Sequence, residues 1–287
     1  MDLPIIIFHL GYKEYVSICL LQALKYNKNV ILITDVVDEY NNIDGATIID
    51  YNKYNKNATN FKKWYIHLST NSPIIELLCI VRWMIIYEYM YSNNIERAFI
   101  CDSDILIYDN ITQIDNNDLC DKEIMLCSSP SKNTSGSASI WSSTKLREFA
   151  EFIFHFYTNQ KNRSTMIEWF KQYNEPGGIC DMTLLYYYSH NETVFKGLRL
   201  PDFPYFESDL TQIFNEEFTF DLHLASPGNQ IYPDEWESDN RKNKNIKYID
   251  GKPYCHNKRI NKDIRFILLH FQGNNKNFMK EYYIKTE

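Results

Sequence analysis

The first part of the chain alternates short apolar runs with a longer amphipathic stretch. Pro4–Leu10 is an apolar run rich in Ile, and Val30–Thr34 is a run rich in β-branched residues, which is typical of strands buried on both faces. Between them, Tyr15–Tyr26 carries apolar residues at helical spacing. Strand, helix and strand in this order predict a βαβ unit and a parallel sheet, with Ala46–Ile49 as a candidate third strand.

A long helix and a short strand are predicted next. Residues 51–72 are polar and indicate loop with weak helix, whereas Pro73 fits the first turn of a helix that runs to about Tyr91. Ala98–Cys101 has the length and composition of a strand, and Ile105–Tyr108 continues it as apolar chain.

The remainder of the chain predicts further strands and helices around one long polar region. Small residues at Ser128–Ser139 indicate a loop. Residues 226–263 are rich in Pro, Asn, Lys and Asp with little periodicity, which predicts a long loop that serves as a lid or recognises an acceptor. No repeat or linker divides the chain, so we expect one domain over 1–287. The regular elements predicted here are strands at Ile124–Cys127 and Phe266–Phe271 and helices at Leu146–Tyr157 and Asp181–Ser189.

Composition narrows the class of protein. With 44% hydrophobic and 23% charged residues, the 287-residue chain has the composition of a globular protein, and its net charge of −7 argues against nucleic acid as a partner. Seven cysteines without a Cys-x-x-Cys pair, and no basic leader, predict free thiols and a cytoplasmic location. Ile74–Met90 contains three charged residues, so we expect a buried helix and no membrane span.

The motif Asp102-Ser103-Asp104 follows the predicted strand Ala98–Cys101. A strand that ends in two carboxylates places both at the carboxyl edge of the sheet, where open α/β sheets bind ligands. Two such carboxylates can hold one hard cation, and the cation can hold a diphosphate. The alternative is a surface turn with solvated carboxylates. The apolar residues on both sides of the motif favour burial of the chain at its base, where it joins the strand.

A second motif, His270-x-x-Gly273-x-x-Lys276, begins at the end of the last predicted strand. An imidazole can complete a metal site made of carboxylates. A glycine lets the backbone approach a phosphate, and a lysine adds a point charge for phosphate oxygens. Chance would produce this spacing in about 2% of chains of this composition. The alternative is a histidine at the edge of the core followed by a turn.

Several single residues have both a chemical and a structural interpretation. Arg82, in an otherwise apolar helix, needs a carboxylate or phosphate partner and would order Asp102 or contact a donor, unless its stem only covers apolar surface. Asp181 follows two glycines and is either a site residue or a helix N-cap. His9 fits a strand end better than a ligand role. Core packing is favoured over stacking on an acceptor sugar for Trp141, His223 and Trp236.

In chain order, these motifs resemble the metal-dependent GT-A glycosyltransferases of family 8, the glycogenin, galactosyltransferase and galactinol synthase type. The elements that match, fully or in part, are Tyr15 with Ala23-Leu24-Lys25, Phe99–Ile107, Ser135-Gly136, Asp181–Leu185, and His270 with Gly273 and Lys276. The chain departs from the family pattern at Thr134 (Asn in the family), at Met182 (Gln in the family) and at Asn277-Phe278 (Pro-Trp in the family).

The resemblance implies an α/β fold of the GT-A type, a Rossmann-like nucleotide-diphospho-sugar transferase fold with a mixed central sheet. It implies a donor half at 1–110 and an acceptor half at 111–287, whose C-terminal segment closes over the diphosphate. The implied metal ligands are Asp102, Asp104 and His270, and the implied catalytic residues are Asp181 and Arg82. The implied nucleotide-sugar contacts are Leu10, Gly11, Tyr15, Asp102, Ser103, Gly273 and Lys276.

The activity implied is transfer of a sugar, a hexose by this resemblance, from a nucleotide-diphosphate donor with Mn²⁺ or Mg²⁺ as cofactor. The resemblance favours a UDP-sugar, retention of configuration, and a glycan, protein or small molecule as acceptor. Two alternatives stay open at this point. A metal-dependent hydrolase of a nucleotide sugar or phosphoester would turn over without an acceptor. A non-catalytic protein that binds a sugar nucleotide or a glycan would form no product, and Met182 is the feature that favours it.

Overall fold

The computed structural model describes residues 2–119, 124–128, 134–173, 177–190, 194–195, 198–199, 217–225 and 235–284. Parts of two predicted loops, 129–133 of the small-residue loop and 226–234 of the candidate lid, lie outside these residues.

The described residues form alternating strands and helices. The strands are β1 Ile5–Phe8, β2 Val30–Thr34, β3 Ala46–Asp50, β4 Arg97–Cys101, β5 Ile105–Ile107, β6 Ile124–Ser128, β7 Thr134–Ser142, β8 Val194–Phe195, β9 Leu198–Arg199, β10 Phe218–Phe220, β11 Lys247–Ile249, β12 Lys252–Asn257 and β13 Lys262–His270. The α-helices are α1 Glu14–Tyr26, α2 Val37–Tyr40, α3 Lys56–Phe61, α4 Pro73–Ser92, α5 Ile111–Ile114, α6 Ser143–Thr158, α7 Gln160–Tyr173, α8 Asp181–His190 and α9 Met279–Ile284. Tighter 3₁₀ helices span Tyr51–Tyr54 and Gly273–Phe278, and a π-helical turn spans Asp115–Leu119.

The central sheet has six strands in the order β3-β2-β1-β4-β7-β6. Strands β3, β2, β1 and β4 are parallel, as the βαβ pattern predicts, whereas β7 runs antiparallel to β4 and β6 antiparallel to β7. The apolar runs are buried on both faces, and Ile5, Ile6 and Ile7 are fully covered. The predicted α/β class with a mixed central sheet is confirmed.

An aromatic core packs one face of this sheet against α4, α6 and α8. Trp83 of α4 contacts Trp141 of β7 at a ring-centroid distance of 5.4 Å, and Trp141 stacks on Phe149 of α6 at 5.4 Å. Pro73 occupies the first turn of α4, as predicted, and Trp83 is buried together with eight other residues of this helix. Among the described residues, no helix combines the length and the apolar character that crossing a bilayer requires.

The prediction of a loop at Ser128–Ser139 is wrong for residues 134–139, which belong to β7. Small side chains are needed there because the strand passes close to α4. A Cβ atom placed on Gly136 would lie 2.4 Å from Cζ2 of Trp83. The run of Ser, Gly and Ala therefore reflects close packing of a strand against a helix. Local propensity alone assigns the same run of small residues to a loop.

The prediction of a loop over 226–263 is also wrong at β11, at β12 and at the first two residues of β13, which lie within this range. Strand β12 alternates between covered and half-exposed positions, and Cys255 and Asn257 are among the covered ones. Small or polar residues at inward positions give little hydrophobic alternation, which is why the sequence pattern missed the strand.

A second sheet, ordered β10-β13-β12-β11, reaches the first part of the chain through β5, which pairs antiparallel with β13. In this pairing Ile105 lies opposite His270, and the backbone N–H of Phe271 donates to the carbonyl of Asp104 at 2.9 Å. The end of β13 therefore lies beside the residues that follow β4.

Candidate functional site

Two carboxylates lie at the carboxyl edge of the central sheet, where β4 ends. The backbone N–H of Asp102 donates to the carbonyl of Ser137 on the neighbouring strand at 2.7 Å, which fixes the first residue after β4. Asp104 is buried, and Ser103 is nearly so. The burial predicted for the base of this motif is confirmed, and the interpretation as a solvated surface turn is excluded.

Two cationic groups converge on Asp104 from the C-terminal segment. Nε2 of His270 lies 3.4 Å from Oδ1 of Asp104, and Nζ of Lys276 lies 3.2 Å from Oδ2. Pairing of β5 with β13 supplies the histidine, and the 3₁₀ helix after β13 supplies the lysine. The two motifs singled out from the sequence are therefore neighbours in the structure, although they lie far apart in the chain.

These charges set the protonation states of the cluster. Burial tends to raise the pKa of Asp104, but the hydrogen bond and charge of His270, together with the charge of Lys276, hold that pKa below its usual range. Burial tends to lower the pKa of His270, but the hydrogen bond to Asp104 and its charge raise it to about 9. Asp104 is therefore an anion over the whole neutral range and needs positive charge beside it.

A divalent cation fits this cluster. Asp102, Asp104 and His270 each offer a ligand atom, and these atoms lie within 4.8 Å of one another. The Nδ1–H of His270 donates to the carbonyl of Leu222 at 2.8 Å, so Nε2 is the nitrogen directed at the carboxylates. A ligating histidine usually has its other ring nitrogen held in this way. Two carboxylates and one imidazole suit Mn²⁺, and the oxygen ligands suit Mg²⁺.

Arg82 joins this cluster to a second carboxylate. Its Nη1 pairs with Oδ1 of Asp102, and its Nη2 lies 2.9 Å from Oδ2 of Asp181. The prediction that Arg82 has a carboxylate or phosphate partner is confirmed, since it pairs with two carboxylates. Asp181 is the first residue of α8 and is buried. The residue proposed for the metal and the residue proposed for the donor sugar therefore share one guanidinium.

Burial raises the pKa of Asp181 to about 6, although the charge of Arg82 opposes the shift. Glu76 lies near Asp181, with its carboxylate accepting from the hydroxyl of Ser69 at 3.1 Å and from the side-chain amide of Asn71 at 2.9 Å. Glu76, Cys180 and Asp181 could also place ligand atoms within 4.8 Å of one another. However, burial raises the pKa of the Cys180 thiol to about 11. Because the thiolate is the form that binds a metal, this argues against a second cation there.

The residues predicted to contact the nucleotide lie at the same edge of the sheet. Leu10 and Gly11 follow β1, and Gly11 adopts a φ of 77° while its N–H donates to Oδ1 of Asp35 at 2.6 Å. The ring of Tyr15 lies 5.5 Å below Nζ of Lys276. Gly273 adopts a φ of 65° with open space on its Cβ side, which leaves its backbone accessible to a ligand.

His9 is a strand-end residue, as the sequence predicts, but it also belongs to this edge. Its Nδ1 lies 2.9 Å from Oγ of Ser103, and its ring meets that of Tyr15 edge-on at 5.7 Å. Its Nε2 is buried without a hydrogen-bond partner among the described residues. Burial and the nearby Lys276 lower the pKa of His9 to about 4, so its imidazole is neutral at physiological pH.

Sequence reasoning missed Asp35, Asp221 and Lys244. Asp35 follows β2 and so shared the strand-end pattern that singled out Asp102, which could have found it. Asp221 follows the short strand β10 and shows the same pattern, whereas Lys244, with which it forms a buried ion pair beside His270, lies in a polar stretch that offers no comparable pattern. Core packing is confirmed for Trp141 and Trp236, both of which are buried, whereas His223 is half-buried with its ring 6.5 Å from that of His270.

No protein-family model matches the sequence, and no curated protein is significantly similar to it. Among solved structures, the chain is similar to mouse xyloside xylosyltransferase 1 in its apo form, with 11% identity and a TM-score of 0.41 over 64% of this chain and 80% of that one. It is also similar to an active-site mutant of LgtC, with 15% identity and a TM-score of 0.37 over 63% of this chain and 68% of that one. A cytidylyltransferase from Leptospira borgpetersenii aligns with 11% identity and a TM-score of 0.35 over 63% of this chain and 78% of that one. Because the TM-scores are this low, these similarities give no information about activity. Any inference about activity has to rest on the side chains of the candidate site.

Proposed function

We propose that this protein is a metal-dependent glycosyltransferase of the GT-A type that takes a sugar from a nucleotide-diphosphate donor. One observation carries the proposal. Two motifs from distant parts of the chain converge on Asp104, and together they supply two carboxylates, an imidazole and an ammonium at the carboxyl edge of a largely parallel sheet. Ligands of open α/β sheets bind at this edge, and metal-binding side chains beside an ammonium group suit a metal diphosphate.

In this proposal Asp102, Asp104 and His270 hold Mn²⁺ or Mg²⁺. When bound, the cation would offset the negative charge that grows on the diphosphate as the glycosidic bond breaks. Lys276 would then contact diphosphate oxygens. Its ammonium is well placed for this role because it lies next to both the Asp104 carboxylate and the ring of Tyr15. The open backbone of Gly273 would let the same diphosphate approach closely.

Arg82 and Asp181 would act on the sugar side of the donor. The guanidinium ties Asp102 to Asp181, so the sugar-side carboxylate keeps a fixed position relative to the metal ligands. An ionised Asp181 would stabilise positive charge that develops at the anomeric carbon, or would orient a sugar hydroxyl. A UDP-sugar, a hexose and retention are the finer proposals, all of which rest on the family resemblance.

The test uses a panel of nucleotide sugars, each offered with and without Mn²⁺. We expect Mn²⁺-dependent binding of UDP or another nucleoside diphosphate in a calorimeter, and sugar transfer to an acceptor by mass spectrometry. In Asp104→Ala we expect transfer to disappear and donor binding to become independent of Mn²⁺. Unchanged Mn²⁺-dependent binding in that variant would rule out the metal assignment. Full turnover of the donor without any acceptor would favour a hydrolase instead.

A further inference from the structure

Behind His270 lies an ion pair with almost no exposure to solvent. Nζ of Lys244 lies 2.9 Å from Oδ1 of Asp221, and the two side chains are 2% and 0% exposed. Taking two charges out of water is expensive, and a pair of well-packed apolar residues is often at least as stabilising. Stability alone therefore gives a poor reason for this pair, and the contacts of its atoms are more informative.

Both partners hold the short segment 221–224 against the end of β13. Oδ2 of Asp221 accepts the backbone N–H of His270 at 3.0 Å. The ammonium of Lys244 donates to the carbonyl of His223. The backbone N–H of Lys244 donates to the carbonyl of Leu224 at 2.8 Å. The N–H of Leu224 in turn donates to the carbonyl of His270 at 2.8 Å.

The segment held in this way contains the atom that orients the imidazole. The carbonyl of Leu222, one residue after Asp221, accepts the Nδ1–H of His270 at 2.8 Å. With Nδ1 engaged, Nε2 faces Asp104 at 3.4 Å. The orientation of the histidine ring thus depends on the position of one backbone carbonyl, whose flanking residues are fixed by the ion pair.

We propose that Asp221 and Lys244 are positioning residues that hold the Leu222 carbonyl against His270 and thereby present its Nε2 to the carboxylate cluster. The metal consequence of this proposal rests on the function proposed above. Neither residue contacts the cation in this proposal, and their effect passes through the backbone at 221–224.

The principal variant is the double substitution Asp221→Asn/Lys244→Met. It removes both charges together, so it leaves no unpaired charge in the interior, and it nearly preserves the volume of both side chains. The matched control is Arg97→Met/Asp115→Asn, which neutralises another ion pair, with a shortest contact of 2.7 Å, at the opposite end of β4. Lys244→Met serves as a second variant if the double variant does not fold, because it removes the ammonium contacts to Asp221 and to the carbonyl of His223.

Two measurements are made on each folded variant. Mn²⁺ affinity, measured from the electron paramagnetic resonance signal of the free ion, should fall about tenfold or more in the Asp221/Lys244 variants and should stay at the wild-type value in the control. Exchange of the His270 Nδ1–H with solvent, measured by NMR on ¹⁵N-histidine-labelled protein without metal, should accelerate about tenfold or more in the same variants only.

The two readouts separate this proposal from the one on which it rests. If wild-type protein fails to bind Mn²⁺, the proposed metal site is wrong, and the exchange measurement alone still decides whether the pair orients the ring. If wild-type protein binds Mn²⁺ and the Asp221/Lys244 variants bind it equally well with unchanged exchange, the positioning role is overturned. Equal losses in the Arg97/Asp115 control would also overturn it, because they would indicate a general loss of stability.

Discussion

At the scale of single residues, Lys276 makes a contribution that can be measured directly. Its ammonium lies 3.2 Å from Asp104 and is partly exposed. Loss of one charge-assisted contact in such a place should cost about 1.5 kcal/mol, or about tenfold in affinity. We therefore expect Lys276→Ala to weaken UDP binding about tenfold in a calorimetric titration and to leave uridine binding nearly unchanged.

Lys280 provides the control for that experiment, because it lies one turn further along and is 67% exposed. Lys280→Ala should change neither affinity. An equal loss for UDP and uridine in Lys276→Ala would show that the lysine supports the nucleoside pocket and does not contact the diphosphate.

Asp181 predicts a dependence of the rate on pH. Burial raises its pKa to about 6, so the carboxylate loses its charge as the pH falls through this value. The charged or titratable groups that influence it include Arg82, Asp102 and Glu76. If the proposed transfer reaction needs the ionised form, kcat of the wild-type protein should fall as the pH is lowered through about 6.

Asp181→Asn should lower kcat about 100-fold at neutral pH, or about 2.7 kcal/mol, with little change in donor affinity. It should also remove the fall in kcat near pH 6, because an amide does not titrate there. Steady-state rates across this pH range test both points. If Asp181→Asn keeps the wild-type dependence of kcat on pH, another group is responsible for the titration. The proposal that Asp181 stabilises the transition state would then be wrong.

At the scale of elements, the contact between β7 and α4 depends on Gly136. A Cβ atom there would lie 2.4 Å from Cζ2 of Trp83, a ring packed against Trp141 and Phe149. Overpacking of such a core typically costs about 1–3 kcal/mol. Gly136→Ala should therefore lower the thermal midpoint by several degrees in a calorimetric scan.

The cause can be checked with Trp83→Phe, which removes the part of the ring nearest to Gly136. In the Trp83→Phe background, Gly136→Ala should cost clearly less than in the wild-type background. An equal loss of stability in both backgrounds would show that the strain of Gly136→Ala does not arise from contact with the Trp83 ring.

The elements that were predictable from sequence are those whose burial is purely hydrophobic. Ile5–Phe8 and Val30–Thr34 are covered on both faces, and α4 begins at the predicted proline, so apolar runs and one proline were enough to locate them. Strand β7 was missed because close packing requires small residues, and β12 was missed because its inward positions include Cys255 and Asn257. In both cases a tertiary contact selected residues that local propensity assigns to loops.

The same distinction holds for the candidate site. Asp102, Asp104, His270 and Lys276 could be singled out because each motif follows a strand, and the sheet brings strand ends together. The ion pair of Asp221 and Lys244 could not, since Asp221 follows a strand of only three residues, Lys244 lies in a polar stretch outside the named strands, and only the tertiary fold brings the two together.

At the scale of the whole molecule, a cation bound by Asp102, Asp104 and His270 would connect the first sheet to the second. A ligand that binds only the folded state stabilises it by about 2.7 kcal/mol when its free concentration is 100 times its Kd. For a chain of this size that corresponds to a rise in thermal midpoint of about 4–5 °C. We expect this rise with Mn²⁺ alone and its absence in Asp104→Asn, as measured by differential scanning calorimetry with matched Ca²⁺-free buffers.

The pairing of β5 with β13 has a consequence for biosynthesis. The ribosome makes Ile105, Leu106 and Ile107 well before it makes their partners at the end of β13, with more than half the chain in between. At about 5–20 residues per second, this apolar strand waits on the order of ten seconds for its partner. Throughout that interval its edge offers unpaired backbone groups to any neighbouring nascent chain. The late synthesis of β13 therefore makes Ile105–Ile107 one of the apolar segments that stay without their native strand partner until the chain is nearly finished.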